Sequence, residues 1–520
     1  MHRFIILIVF TLISFFTIKA QISVSGSVSD ASTEDVLIGV TVIEVGSNNG
    51  TVTDENGQYT ISLRSDTASL KFLYIGYTTQ TIKLNNLVVL NVALKSEELL
   101  DEAIVIGYGE QSKTKITSAV STIDAKTLKK LPVPSVSNGL EGLASGLFVR
   151  QGSGEPGFSG SSFEIRNFGN ALVIVDGSPG NIDDLDPNEI ENISILKDAA
   201  AAAVYGVQGG NGVILITTRK GSIGKPELNY SNQFTQTSFT QYPDFLNSVD
   251  YANVLNEGLV NDGKSPFYTS EEIEAFRSGS DPINYPNENW KELMFKKYGF
   301  QQRHNLNISG GNQKIKYFAS AGFLNQGSNY TEDVLNYNQY NLRTNLNAYV
   351  NDYLTLQLNL AGRRRLNEAP GYSAYDIFRE LSRALPNNLA YYPDGTPARP
   401  SFSPNHILEG LRDFNAGYFR SRNNNIDAKL SLEWDAAQVG IDGLKFKSYA
   451  SLLNNVYYNK TWGKSYELYT LNRLTGDYDE YVASPEGSFS ETVLTHSMNY
   501  SNHYVLQESV NYDQKFKKHS

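Results

Sequence analysis

The residues of this chain that could do chemistry are scattered along it rather than gathered. The six histidines (His2, His304, His406, His496, His503 and His519) show no metal-ligand spacing. His496 and His503 are seven apart in a strand-like stretch, which puts them on opposite faces, and both read as surface residues. Asp54, Glu55 and Asn56 carry oxygens of the kind calcium takes, but Gly57 follows and the four read as a tight turn. The carboxylate pairs Asp183-Asp184 and Glu271-Glu272 read as solvated turns or helix starts. The glycines from Gly206 to Gly212 lack the Lys-Ser/Thr that a phosphate-cradling loop needs, and no nucleophile elbow occurs. Cysteine is absent. That excludes disulfides, cysteine-metal sites and a lipid-anchored mature N-terminus. The expectation is no enzyme, no cofactor and no bound metal. Two charges, Arg166 and Asp176, stand at the ends of apolar strands and read as a local structural ion pair or rim contacts.

At 520 residues the chain exceeds one hydrophobic core, and three or four domains are expected. A net charge of −11 with no lysine or arginine run argues against a nucleic-acid partner. The 32 Tyr and 25 Phe, with many Asn, Ser and Thr, suit strands with one apolar and one wet face. The one long apolar run, Phe4 to Ile18, follows His2-Arg3 and precedes Lys19-Ala20. It is short for a membrane helix. It reads as a signal peptide over residues 1–20 with cleavage expected before Gln21, a retained anchor being the alternative. No later segment suits a membrane helix, so any span must be a β-barrel.

Residues 22–95 alternate in short strands with regular turn signals, the pattern of a small β-sandwich. Residues 96–110 hold Asp101-Glu102-Ala103-Ile104-Val105-Ile106-Gly107-Tyr108-Gly109. This apolar strand bounded by glycines suits either addition to another protein's sheet edge or a plain linker strand paired internally. Residues 111–222 follow a mixed α+β pattern. Leu140, Leu143 and Leu147 repeat at helical spacing, with Gly142 and Gly146 allowing close packing. Phe163 to Arg166 alternates as a strand, and Ala171 to Val175 is a buried strand ending in the Asp176-Gly177 turn. A short strand at Ile193 to Leu196 runs into an alanine helix begun at Asp198 and closed by Gly206. After a glycine-rich turn (Gly209, Gly210, Gly212) comes the continuous apolar strand Val213 to Ile216, of the kind buried on both faces.

From 223 to 520 the texture is alternating. Tyr340, Leu342, Leu346, Ala348 and Val350 share even parity with Leu354, Leu356, Leu358 and Leu360. Apolar residues must pair with apolar residues across a hairpin, so partners sum to an even number and the turn Asn351-Asp352-Tyr353 has odd length. Ile426, Ala428, Leu430, Leu432 and Trp434 repeat the pattern, as do Leu444, Phe446, Ala450, Leu452 and Val456. Pattern alone fits a lipid-facing barrel or a soluble sandwich equally. In a barrel the short turns are periplasmic, and Gly371 to Phe419 and Tyr466 to Ser490 are extracellular loops.

The wording of several segments is more specific. Asp186-Pro-Asn-Glu-Ile-Glu-Asn-Ile-Ser-Ile-Leu-Lys-Asp198, followed by five alanines, Val-Tyr-Gly, and Asn211-Gly-Val-Ile-Leu-Ile-Thr-Thr-Arg-Lys-Gly221, closely resembles the end of the plug domain in the SusC/RagA family of TonB-linked outer-membrane transporters. The 22–95 phrases resemble the carboxypeptidase-regulatory-like domain that precedes such plugs. Asp101 to Gly109 resembles the family's TonB box. The resemblance implies a mainly β chain: sandwich, α+β plug and part of a transmembrane antiparallel β-barrel. It implies import of oligosaccharides or peptides across the outer membrane, with TonB and its inner-membrane energising complex, outer-membrane lipid and a SusD-like surface lipoprotein as partners. Arg166, Asp176, Gly177, Gly206 and Gly212 are its structural plug residues. The chain departs from the family wording at Asn167, in a shorter loop before Val173, and at Val207-Gln208, where Ser-Arg is usual. About eight to ten barrel strands fit before Ser520, against roughly 22 in such a barrel, and the end from Tyr512 resembles a mid-barrel turn. The expectation is a fragment, a truncated frame or half of a split gene. A signalling receptor, or a surface scaffold that does not transport, remains the alternative.

Overall fold

The computed structural model describes residues 22–31, 35–95 (without 48, 64, 66, 75, 76 and 86), 119–198 (without 159), 202–483 (without 473) and 492–514, and the backbone of 103–106 and 109–112. The signal peptide, Asp101, Glu102, Gly107, Tyr108 and the last six residues, all assigned from sequence, lie outside the described residues. The chain divides into two compact units, one holding the N-terminal sandwich and the other everything from 117 onward.

In the first unit, β1 (Ile22–Asp30) lies between β4 (Gln58–Leu63) and β7 (Val92–Leu94). A second sheet places β2 (Thr41–Glu44) between β3 (Gly50–Val52) and β5 (Ser69–Leu73), with β6 (Gln80–Lys83) beyond β5. Val24, Val28, Ile61 and Leu63 of one sheet share a core with Val42, Leu70 and Phe72 of the other. The Asp54 carboxylate accepts from the backbone N–H of Asn56 (2.9 Å) and Gln58 (2.8 Å), and Gly57 sits at φ +68°. Asp54, Glu55 and Asn56 therefore form a turn. Further along the chain, β8 (Ala103–Ile106) and β9 (Gly109–Ser112) form a two-stranded sheet.

The second unit begins with the plug. Its five-stranded sheet runs β10 (Val120–Asp124), β15 (Ile190–Leu196), β16 (Val213–Thr218), β13 (Leu172–Val175), β14 (Ser178–Pro179), with β13 and β16 parallel. A hairpin of β11 (Leu147–Gln151) and β12 (Ser161–Ile165) and the short helix α1 (Ala125–Leu128) cover it. Val213 to Leu215 are almost fully buried, as the apolar run requires. The helix expected over Leu140–Leu147 does not form. Leu140 closes a 3-10 turn and Leu147 begins β11, because Gly142 and Gly146 both hold φ +72°, which no α-helix accommodates. Those glycines serve the backbone, not close packing. Of the expected alanine helix, 199–201 lie outside the described residues. The rest is a 3-10 run, Ala203–Gly209, that continues past Gly206 with a kink there (φ 58°, ψ −146°).

An eight-stranded antiparallel wall follows: β17 (Gly224–Thr237), β18 (Gly299–Gly311), β19 (Ile315–Gly327), β20 (Asn336–Asn351), β21 (Leu354–Pro370), β22 (Gly417–Asp435), β23 (Leu444–Gly463) and β26 (Val493–Tyr512). Leu346 pairs with Leu358 and Ala348 with Leu356, the even register, with a bulge at the turn where Asn351 meets Leu354. Burial along this wall is inverted relative to a soluble sheet. Asn341 (5%), Arg343 (5%) and Asn345 (2%) are buried, while Tyr340 (44%) and Leu342 (64%) are exposed. Along β18 to β20 the polar face is covered and the apolar face is the more exposed one. Among the described residues no helix is long and apolar enough to cross a membrane.

At one end of the wall, turns of two to eight residues join β20 to β21, β18 to β19 and β22 to β23. At the other end an eight-residue connection joins β19 to β20, and long segments join β17 to β18, β21 to β22 and β23 to β26. The long segments are folded rather than loose. They carry α2 (Ser248–Asn261), α3 (Ser270–Ser278), α4 (Trp290–Met294), α5 (Ala374–Arg383), α6 (Ile407–Leu411) and the hairpin β24 (Tyr466–Leu471)–β25 (Tyr478–Ala483). Trp290, Met294, Ile377, Leu408 and Leu468 form one core among them. Glu271 and Glu272 start α3, where Thr269 and Glu272 form a capping box. His406 is fully buried at the start of α6: Nδ1 accepts from Glu409 N–H (3.1 Å) and Nε2 donates to Ala390 O (2.6 Å). Burial pushes its pKa down to about 4. His496 and His503 lie exposed in β26.

Candidate functional site

The plug meets the polar face of the wall through buried charges. Asp176 ends β13 at φ 46°, and Gly177 at φ 87° turns the chain into β14. That turn aims the Asp176 carboxylate at the end of β16, where it accepts from Thr218 N–H (2.9 Å) and Thr218 Oγ1 (2.7 Å). The same carboxylate lies 3.6 Å from Arg343 of β20. Arg343 Nε donates to Glu189 Oε2 at 2.9 Å, and Ser320 Oγ of β19 donates to the other Glu189 oxygen. Arg343, Asp176 and Glu189 are each at least nine-tenths buried. Desolvation pushes the Glu189 carboxyl up, against the pull of Arg343.

A second tie lies beside the first. Asp184 is paired by Arg363 and, at 2.9 Å, by Arg365, both from β21. Lys429 of β22 donates to Val175 O, next to Asp176, and pairs with Asp427 at 3.1 Å. Neutral groups complete the seam: Asn345 Nδ2 donates to Thr218 Oγ1 (2.8 Å) and Arg219 O (2.7 Å), and Asn341 Nδ2 to Asp184 O (2.7 Å). The wall thus supplies cations and amides, and the plug supplies carboxylates and carbonyls. Such a seam is specific and strong when every partner is present, and costly when one is removed. It can hold a domain in one docked pose. Among the described residues no group of three or more acidic or histidine side chains could hold a metal ion.

The residues expected from sequence are distributed unevenly about this seam. Asp176 and Gly177 are in it, and the partner of Asp176 is Arg343, not Arg166. Arg166 is exposed at φ 53°, with its N–H on Gly146 O (2.9 Å), and among the described residues it makes no ion pair. Burial, and after it the Arg166 guanidinium, lowers the pKa of Lys197, whose ammonium donates to Ser145 Oγ at 3.0 Å. Asn167 follows at φ 60°, the left-handed conformation that asparagine tolerates. Gly206 and Gly212 hold positive φ beside the plug sheet, and Gln208 and Val207 are exposed. Asp184, read as a solvated turn, is instead clamped between two arginines. Glu189, Arg363, Arg365 and Lys429 were not singled out by sequence. For the wall residues the signal was parity: Arg343, Arg363, Arg365 and Lys429 are odd-numbered, on the face opposite the apolar stripe, whereas Glu189 sits in a plug turn with no such signal. Of the Asp101–Gly109 segment, Ala103, Ile104, Val105, Ile106 and Gly109 are placed as backbone in the two-stranded sheet.

Residues 24–106 match the family model of the CarboxypepD_reg-like domain, and residues 112–213 that of the TonB-dependent Receptor Plug Domain. The chain is 30% identical over 428 residues to TonB-dependent receptor P39 of Formosa agariphila, covering 78% of this chain and 38% of that protein. It is 26% identical over 452 residues to TonB-dependent receptor SusC of Bacteroides thetaiotaomicron, covering 82% of this chain and 41% of SusC. The chain belongs to the SusC/RagA family of TonB-dependent receptors. In fold it is similar to the RagAB peptide importer in the open-open state, with a TM-score of 0.57 at 17% identity, over 79% of this chain and 55% of that one. This SusC/RagA-type chain spans about half the length, or less, of the curated relatives it matches. Wall and plug of such receptors are what the inverted burial and the buried seam describe.

Proposed function

We propose that this chain acts in TonB-dependent import across the outer membrane of a Gram-negative bacterium, with the plug gating passage along the polar face of the wall. The observation that carries this reading is the inverted wall, whose apolar side chains face outward while its amides and guanidiniums grip a plug. A sheet of that kind is stable where hydrocarbon lies outside and protein inside. The folded segments at the long-connection end then lie outside the cell, and the short turns face the periplasm. The cargo class is oligosaccharides or peptides, and a SusD-like surface lipoprotein is the expected partner at the mouth.

Coupling runs through the strand Ile104 to Ile106. TonB pairs with it as an added β-strand, with backbone bonds giving affinity and alternate side chains giving register. Force on that strand is delivered to a plug held by the Arg343–Glu189 and Arg365–Asp184 ties. The absence of native cysteine makes a direct test clean. Single cysteines are placed at Ala103 through Ile106 and combined in cells with a cysteine-scanned TonB C-terminal domain. Disulfide crosslinks with a two-residue period are expected, and Val105→Pro should abolish them. Aperiodic crosslinking, or full crosslinking of neighbouring cysteines in the Val105→Pro background, refutes strand addition.

A further inference from the structure

The outward face of the wall carries a cluster of cations that the plug and the import reading leave unused. Parity identifies it. Across β20 to β26 the outward residues run in rows, and the row Tyr340–Arg364–Asn424–Val456–Tyr500 lies above the apolar stripe. The next rows toward the long-connection end are Asn338–Leu366–Arg422–Tyr458–Met498 and Asn336–Glu368–Arg420–Lys460–His496. Arg364, Arg420 and Arg422 are exposed, and Lys460 is partly so. The one carboxylate among them, Glu368, is engaged by Arg420 Nε. Among the described residues neither Arg364 nor Arg422 enters an ion pair. The two upper rows line a groove of about 400 Å³ on the sheet.

Height matters as much as charge. The outward pair Trp434 and Phe446, stacked at 5.5 Å, marks the short-turn border of the apolar band. From Leu354, which pairs with Trp434, to Arg364 is a strand run that rises about 25 Å at barrel tilt, the height of a lipid-facing band. Aromatics return at this level and above it: Tyr340, Tyr458 and Tyr500, then Tyr418, tilted against Trp462 with ring centroids 5.3 Å apart. Arg420 lies 4.0 Å and Lys460 5.5 Å from the Tyr418 ring centroid. Cations that sit just outside an aromatic girdle, facing away from the protein, meet headgroups and not cargo. Beside them Asn325 Nδ2 donates to Asn336 and Asn338 (both 2.9 Å), an amide cluster of the kind that suits sugar hydroxyls.

We infer that Arg364, Arg420, Arg422 and Lys460 form a binding site for the phosphorylated headgroup of an outer-leaflet glycolipid. Guanidinium forks take phosphate oxygens in bidentate fashion, the amides take the sugar, and the apolar stripe below takes the acyl chains. The site rests on the outer-membrane reading above, and the test separates the two. Wild-type protein and the variants Arg420→Gln/Arg422→Gln, Arg422→Lys and Lys445→Gln are first checked for fractionation with outer membranes, then purified from them. Binding is measured by native mass spectrometry with lipid A, with phosphatase-treated lipid A, with phosphatidylethanolamine vesicles, and with inorganic phosphate as competitor. The double variant should bind lipid A about tenfold more weakly, with Arg422→Lys intermediate and Lys445→Gln unchanged. Removal of the lipid phosphates should mimic the double variant, and free phosphate at millimolar level should not displace the lipid. Equal binding by the double variant, equal binding of dephosphorylated lipid, or displacement by free phosphate each overturns the site while leaving the import reading intact. Failure of the wild-type protein to fractionate with outer membranes overturns both.

Discussion

Removing Glu189 tests whether the buried seam holds the plug. Glu189→Leu deletes the 2.9 Å bond from Arg343 Nε and leaves the Ser320 hydroxyl without its acceptor, both in a site closed to water. A hydrogen bond to a charged group contributes about 1.5–3 kcal/mol, and an orphaned buried hydroxyl costs about 1 kcal/mol more. Breaking a buried pair outright costs about 3–5 kcal/mol. Asp176 moderates this. At 3.6 Å it keeps about four-fifths of the attraction that a charge at 2.9 Å exerts, because Coulomb energy falls as inverse distance. Its oxygens are committed to Thr218, however, so it compensates charge without replacing the lost bond. The expected loss is about 3 kcal/mol, a factor of about 150 in the opening equilibrium of the plug. Hydrogen exchange of the β15 and β16 amides reads that equilibrium directly. The double variant Arg343→Met/Glu189→Met removes the pair but leaves the Asp176 carboxylate without its guanidinium, so it should fall short of wild type yet lose clearly less than the two single changes added together. Exchange in Glu189→Leu within threefold of wild type would refute the argument. So would a double variant as damaged as the two single changes added together.

Two further outcomes follow from single residues. Gly212→Ala should cost about 2 kcal/mol or more of stability, read from the urea midpoint shift times m, and Gly206→Ala only about 1 kcal/mol. Both hold positive φ, but a Cβ on Gly212 would lie 2.7 Å from Ile165 Cδ1 and 3.0 Å from Leu196 O, whereas Gly206 has open space; equal losses would sink the distinction. The folded segments at the long-connection end should loosen as pH falls through the window from about 6.5 to 4. The folded-state pKa of His406 lies below its unfolded value, so the unfolded state binds the extra proton and stability falls with pH, by about 3 kcal/mol at most. Glu409, which burial raises, opposes this because its protonation favours the folded state. Tyr466, whose hydroxyl contacts the His406 backbone, and the Trp290 and Tyr391 rings complete its surroundings. His406→Asn keeps an N-cap acceptor and removes the titration. The protection factors of the α6 amides, with the intrinsic pH dependence of exchange divided out, should then lose most of their fall between pH 7 and 4.5, and an unchanged fall would refute the role given to His406.

The parts of this molecule legible in the sequence are those set by strict local periods. A strand alternates faces every residue, so the parity of Leu346 and Leu358 fixed their pairing before any coordinates. A period of 3.6 is weaker evidence over two turns, and Leu140, Leu143 and Leu147 mimicked it while Gly142 and Gly146 broke the helix. The core of Trp290, Ile377 and Leu468 was illegible because its members come from three segments far apart in sequence, none with a repeat of its own. The ion seam was half legible. Parity put Arg343 on the wet face of its strand, but Glu189 is 154 residues away and no local rule joins them. On β18 to β20 that wet face is in fact buried, because the plug packs against it. Arg363, Arg364 and Arg365 show what that implies for reading any such wall. The first and third turn inward and find Asp184, while the second turns outward and makes no ion pair among the described residues. Three adjacent identical residues thus have two different destinations, and parity against the apolar stripe assigns each one. A cation on the inward face calls for a carboxylate or a carbonyl in the plug, and a cation on the outward face at the band's edge calls for an anion in the membrane.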